Sequence, residues 1–232
     1  MFNLDKCMYK DICGDINTDN CNNVCQRYII TNFLLERSGI PENRRIRQIL
    51  QTPRVDEHSY TLLNGFRKDI AQFVRNGNNL YIVSHNRYNG KTSWAISLML
   101  KYFDEVWYGN GFVPRGLFIS VPIFLTKLKN TISNPDIRFE QLKELIRSVD
   151  LIIWDDIATT QISTYDQSTL YAYISERMLT GKSNIYTGVL NSTELEWALG
   201  SNLANTIKSN LYPVRLQSEG WGKEDDFITN IE

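Results

Sequence analysis

The chain has 232 residues, 42% of them hydrophobic and 22% charged, with a net charge of −1. That composition belongs to an ordinary globular protein, long enough for one domain with a sizeable core plus a small appendage. The charge excludes a global basic field that recruits nucleic acid, and no apolar run reaches the roughly 18 residues needed to span a bilayer. The first residues, Met1 to Cys7, lack the basic start and apolar stretch of a signal peptide. A cytosolic location is therefore expected, with reduced thiols.

In chain order, residues 1–26 are polar, rich in Asn and Asp, and hold all four cysteines, Cys7, Cys13, Cys21 and Cys25. An apolar stripe predicts a short helix over 27–38, ended by Gly39-Ile40-Pro41. A second short helix is expected over 42–50, and Thr52-Pro53 then breaks the chain. This places a boundary near residue 55. A helix over 57–76 follows. Beyond it, strands are predicted at 79–84, 116–121, 149–155, 183–189 and 212–217. Helices fall between them at 91–103, 121–131, 138–148, 166–180 and, in two pieces, 192–210. Apolar strands alternating with helices predict an α/β fold with a five-stranded, mostly parallel sheet covered on both faces. Residues 218–232 read as a polar tail.

The run Ser84-His85-Asn86-Arg87-Tyr88-Asn89-Gly90-Lys91-Thr92-Ser93 carries the chemistry. Strand, polar loop ending in Gly-Lys-Thr, then helix is the layout of a phosphate-binding loop. Backbone N–H groups from Asn86 to Ser93 converge on phosphates at the positive end of the helix. Lys91 reaches the outer phosphates, and Thr92 offers its hydroxyl to Mg²⁺. The first glycine of the usual pattern is replaced by His85. Histidine tolerates positive φ better than most residues, so the loop can still close.

About 65 residues after Lys91, the strand Leu151-Ile152-Ile153-Trp154 ends in Asp155-Asp156. Such a strand end, beside a phosphate loop, is where a magnesium-holding carboxylate belongs. Asp155 is expected to hold Mg²⁺, largely through water, and Asp156 to orient or deprotonate the attacking water.

The four cysteines, spaced x5, x7 and x3, can supply four thiolates to one tetrahedral Zn²⁺. Buried free thiols or two disulfides are the alternatives. A metal would give this polar segment the folding energy its few apolar residues lack. Arg37, Arg44, Arg45, Arg47 and Arg54 cluster at the domain junction, either as a solvated face or as a docking or phosphate-contacting surface. Trp94, Trp107 and Trp154 read as core rather than as base-stacking platforms.

Four segments taken together, Gly90 to Ala95, Leu117 to Pro122, Ile152 to Ala158 and Gly181 to Thr187, resemble the DnaC/DnaI-type replicative helicase loaders. The likeness is to the branch carried by phages of low-GC Gram-positive bacteria, and it covers the whole chain. The resemblance implies an AAA+ P-loop core over 56–217 that binds ATP and Mg²⁺ and oligomerises. It also implies an N-terminal module over 1–55 that binds zinc through Cys7, Cys13, Cys21 and Cys25 and grips a DnaB-type helicase. The loader would help place that ring on single-stranded DNA. Two further positions depart from the family. The family's Thr-Ser-Asn sensor is Thr187-Gly188-Val189 here, so Val189 holds the sensor slot unless Asn191 replaces it. Thr206 stands where the arginine finger belongs, leaving Lys208, Arg215 or Lys223 as displaced cations. An arginine finger contributes about 10³–10⁵ in rate in related systems. The expected behaviour is ATP binding with weak or absent hydrolysis. Two other readings stay open: a non-hydrolysing adaptor or inhibitor of a replication protein, and an IstB-like transposition ATPase, which the cysteine cluster disfavours.

Overall fold

The computed structural model describes residues 4–16, 18–46, 50–86, 88–133, 136–191, 193–219 and 227–228. Strands β2 (Asn79–Val83), β3 (Gly116–Ser120), β4 (Leu151–Asp155), β5 (Ser183–Gly188) and β6 (Leu211–Arg215) form one sheet in the order β3-β4-β5-β2-β6. Every pairing in it is parallel. A two-residue strand, β1 (Thr52–Pro53), pairs antiparallel with β7 (Phe227–Ile228).

The side-chain alternation of the strands splits the core in two. Leu80, Ile82, Leu151 and Ile153 face one layer, built with α2 (Glu57–Lys68), α3 (Ile70–Arg75) and α4 (Lys91–Val106). Tyr81, Val83, Ile152 and Trp154 face the other layer. That layer is built with α5 (Val121–Ser133), α6 (Ile137–Ser148), α7 (Thr164–Leu179), α8 (Glu194–Leu199) and α9 (Ser201–Lys208). β4 and β5 are buried along their whole length, as strands covered on both faces must be.

Three expectations differ. Within residues 218–232, read as a polar tail, Phe227–Ile228 is a strand paired with β1, and Ser218 N donates to Asp56 Oδ2. The helix over 57–76 is broken at Asp69, whose ψ of 26° leaves the helical range, and the break turns Ile70, Phe73 and Val74 of α3 inward. In its described part, the helix expected over 42–50 is a single 3₁₀ turn, Glu42–Arg44, entered from Pro41 in extended geometry.

The cysteine-bearing segment leads into α1 (Gln26–Arg37), and Met8, Tyr9, Leu34, Leu35 and Ile40 join the first core layer. The Arg27 guanidinium lies 3.6 Å above the Tyr9 ring and donates to Asp104 Oδ1 at 2.7 Å, fastening α1 to the last turns of α4. Of the tryptophans, Trp94 and Trp154 are fully buried, while Trp107 is half-buried beside Arg27.

A buried arginine holds the end of the sheet opposite the strands' carboxyl ends. Arg177 of α7 has no exposed surface. It donates to the carbonyls of Ile146, Val149, Asp150 and Ser183 and to Asn184 Oδ1. Asn184 also accepts from Trp154 Nε1 and donates to Asn79 Oδ1, so β2, β4 and β5 share one polar network.

Candidate nucleotide-binding site

In parallel α/β sheets, ligands bind beyond the carboxyl ends of the strands. Here that rim carries the loop after β2. Ser84 extends β2 by donating its N–H to Gly188 O at 3.1 Å. His85 is exposed and is not in the left-handed region. The expectation that it would take positive φ is thus corrected: Tyr88 at φ 61° and Gly90 at φ 90° make the turn. Arg87 lies outside the described residues.

The loop is tied down on both sides. The Asn86 carboxamide donates to the carbonyls of Gln217 and Ser218, and the buried Asp56 carboxylate accepts from both of their N–H groups. Asn89 donates to Ser84 Oγ. The Lys91 ammonium, at the first turn of α4, donates to Asn86 O at 2.7 Å and to Asn89 Oδ1 at 3.2 Å. Burial pushes it below the ordinary lysine range, against the pull of Asp156 and Asp155. Thr92 and Ser93 follow at half-buried positions of the same turn. An α-helix N-terminus, a lysine and a loop of backbone N–H groups in this arrangement suit a polyphosphate.

The acidic partner sits alongside. Thr92 and Thr187 both donate to Asp155 Oδ1, at 2.8 and 2.7 Å. Thr187 also takes the Asp156 N–H on its hydroxyl and the Ile157 N–H on its carbonyl. These bonds hold Asp156 at φ 56°, an uncommon conformation for a non-glycine residue. Burial pushes the Asp155 carboxyl above the usual range. Hydrogen bonds from Thr187 and Thr92 oppose that rise, Asp156 adds to it and Arg44 opposes it. The Thr92 hydroxyl and Asp155 carboxylate are hard oxygen donors placed side by side, chemistry that fits Mg²⁺. Thr187 was not singled out in the sequence for this role; its place at the end of β5, beside the acidic strand, was the available signal.

A raised carboxyl pKa means that the folded state binds this proton more tightly than the unfolded chain. The associated stability is present below the unfolded pKa and is lost as pH rises through the folded one. Asp155→Asn is therefore expected to stabilise the metal-free protein at neutral pH by about 1–2 kcal/mol. The gain should shrink on acidification, and Mg²⁺-dependent nucleotide binding should be lost. Urea unfolding at several pH values, paired with nucleotide titration, measures both.

The departures acquire physical reasons. A Cβ at Gly188 would stand 2.5 Å from the Tyr81 hydroxyl, which donates to Leu190 O, so no side chain fits there. Val189 is half-buried and brings no polar group to the sensor slot. Asn191 Oδ1 accepts from the N–H groups of Thr193 and Glu194, while Glu194 Oε2 accepts from Asn191 N. That reciprocal cap commits the Asn191 side chain to the start of α8. Thr206 donates to Asn202 O within α9. Lys208 pairs with Glu196 at 2.8 Å, Arg215 is exposed, and Lys223 lies outside the described residues.

In the arginine cluster, Arg45 Nε donates to Ile40 O and Arg37 lies near the Phe33 ring, while Arg47 lies outside the described residues. Cys7, Cys13, Cys21 and Cys25 are free thiols that line one cavity of about 50 Å³. Burial, with the other three cysteines adding, pushes the Cys7 thiol upward against a hydrogen bond from Tyr9. Four thiols around one small cavity fit zinc chemically, but among the described residues no group of three or more ligating side chains closes around an ion.

The same architecture recurs in solved structures. DnaI matches with a TM-score of 0.61 and 15% identity over 77% of this chain and 95% of that one. The DnaC helicase loader matches at 0.58 and 16%, over 68% and 88%. This is the AAA+ P-loop fold. The replication initiator DnaA, solved with AMPPCP and single-stranded DNA, matches at 0.54 and 14%, over 69% of this chain and 46% of DnaA. No protein-family model matches, and neither does any curated protein. Among the described residues, no helix is long and apolar enough to cross a membrane.

Proposed function

We propose that this chain is an ATP-binding helicase loader of DNA replication. One observation carries the nucleotide half of the reading. Lys91, Thr92 and Asp155 converge at the carboxyl ends of an AAA+ sheet, with Thr92 and Thr187 both bonded to the same carboxylate oxygen. The loader half rests on the shared fold of DnaC and DnaI. ATP would be held by residues 86–93 and Mg²⁺ by Thr92 and Asp155, the metal supplying positive charge to the phosphates. Asp156 would face the attacking water. Hydrolysis is slow or absent on this reading, because Val189 and Thr206 supply neither a polar sensor nor a cation. ATP then acts as a switch for a cytosolic protein whose residues 1–55 grip a DnaB-type ring and whose core, alone or as an oligomer, guides it onto single-stranded DNA.

The test combines the chain with the replicative ring helicase of its source organism and circular single-stranded DNA. A stable complex is expected, with helicase loading stimulated by ATP. A helicase that neither binds the chain nor loads faster would leave the adaptor reading in its place.

Zinc at the four cysteines is part of the same proposal. Metal analysis after purification under reducing conditions should find about one equivalent of zinc, and chelation should melt the packing of Met8 and Tyr9 against α1. Zinc-free protein with an unchanged melting temperature would refute it.

A further inference from the structure

The turn after α1 brings a charged group to the nucleotide site. The Ser38 carbonyl accepts from Phe118 N at 2.6 Å, laying the chain on the open edge of β3. Gly39, at φ 74°, lies against that strand so closely that a Cβ would stand 2.9 Å from Phe118 O. Ile40 is then buried in the first core layer.

From there the 3₁₀ turn is fixed at both ends. Arg44 N donates to Pro41 O at 2.8 Å, and Arg45 donates through its N–H to Glu42 O and through Nε to Ile40 O. Phe118 is two residues before Ser120, which stands opposite Asp155 in the β3–β4 ladder. The turn thus places Arg44 by the carboxyl ends of the strands, and the Arg44 guanidinium lies within electrostatic reach of Asp155. It is half-buried and, among the described residues, has no hydrogen bond or ion pair, unlike Arg45 in the same turn.

We propose that Arg44 contacts the outermost phosphate of a nucleoside triphosphate bound by Lys91 and Thr92, a contact that holds the bound triphosphate and does not replace the catalytic cation missing at Thr206. The guanidinium fork matches phosphate oxygens and keeps its charge at any physiological pH. Its neighbour Asp155 would hold Mg²⁺ on the same phosphate, so the arginine and the metal would approach it together. A triphosphate would gain this contact and a diphosphate would not. Because the turn hangs directly from α1, the contact would also report the presence of the last phosphate to the N-terminal segment. This inference rests on the nucleotide reading of the 84–93 loop.

The experiment titrates the full chain with a non-hydrolysable ATP analogue and with ADP, both with Mg²⁺, using wild type, Arg44→Ala, Arg44→Lys and Arg45→Ala. Arg44→Ala should weaken the triphosphate about ten- to a hundredfold and leave ADP within about twofold. Arg44→Lys should recover part of the loss, and Arg45→Ala should not reproduce the discrimination. Equal losses for both nucleotides, or no loss for either, would overturn the assignment of Arg44 alone. Wild type that binds neither nucleotide would overturn the reading of the loop itself, and Arg44 with it.

Discussion

Lys91→Ala should weaken nucleotide binding by roughly 30- to 1000-fold while leaving the fold intact. The ammonium sits at the first turn of α4, held over the loop by Asn86 O and Asn89 Oδ1, and burial already disfavours its charge. Phosphates would replace those two neutral acceptors with anionic ones, so the lysine gains most when ligand arrives. Truncating one partner of such a desolvated charge pair costs about 2–4 kcal/mol, or roughly 30- to 1000-fold in affinity. The metal-free, ligand-free protein loses little, since the alanine removes a charge that burial already penalises. Thermal melting with and without saturating ATP separates the two effects. Wild type should gain about 2.7 kcal/mol of stability at a hundredfold excess over its Kd. The variant should melt like the wild type without ligand and gain less than about 1 kcal/mol at the same ATP concentration.

Arg177→Ala should cause the largest loss of stability among single substitutions at polar residues. The guanidinium is fully buried and satisfies four backbone carbonyls from α6, the turn after it and β5, plus the Asn184 carboxamide. Burial lowers its pKa to about 10, against the pull of Tyr186 and Asp150, which still leaves it charged at neutral pH. Removing it strands several buried acceptors and leaves a cavity under β4 and β5. Losses of this kind run to about 3–5 kcal/mol, a large share of the roughly 5–15 kcal/mol that holds a domain together. Lysine cannot rescue it, because one ammonium does not span acceptors arranged for a planar fork. Denaturant unfolding of Arg177→Ala and Arg177→Lys reads this directly. A midpoint unchanged in both would mean that water replaces the guanidinium.

Much of the sheet was legible because its strands are apolar on both faces and separated by helical periodicity. Leu151 to Trp154 could hardly be anything but an interior strand, and the Gly-Lys-Thr run marked the start of α4. What was hidden is long-range. Arg177 sits in a helix whose pattern shows only an apolar face, and the signal that it is pinned inside is the pair of asparagines, Asn79 and Asn184, in otherwise apolar strands. Nothing local links Asp56 or Asn86 to Gln217 and Ser218, since the contact spans more than half the chain. His85 drew attention as a missing glycine, yet the turn it was expected to make is made by Tyr88 and Gly90. Arg44 was visible only as one arginine among five. Its separate environment comes from Gly39 lying flat on the β3 edge, a close approach no spacing rule encodes.

On the proposed reading, this site holds ATP without turning it over appreciably. The reading is tested by measuring equilibrium ATP binding and steady-state phosphate release on one preparation, with Mg²⁺, beside Lys91→Ala. Saturable, Mg²⁺-dependent binding by the wild type is expected, with phosphate release indistinguishable from the variant's background. Lys91-dependent turnover at the rate of an active ATPase, or no binding at all, would contradict it.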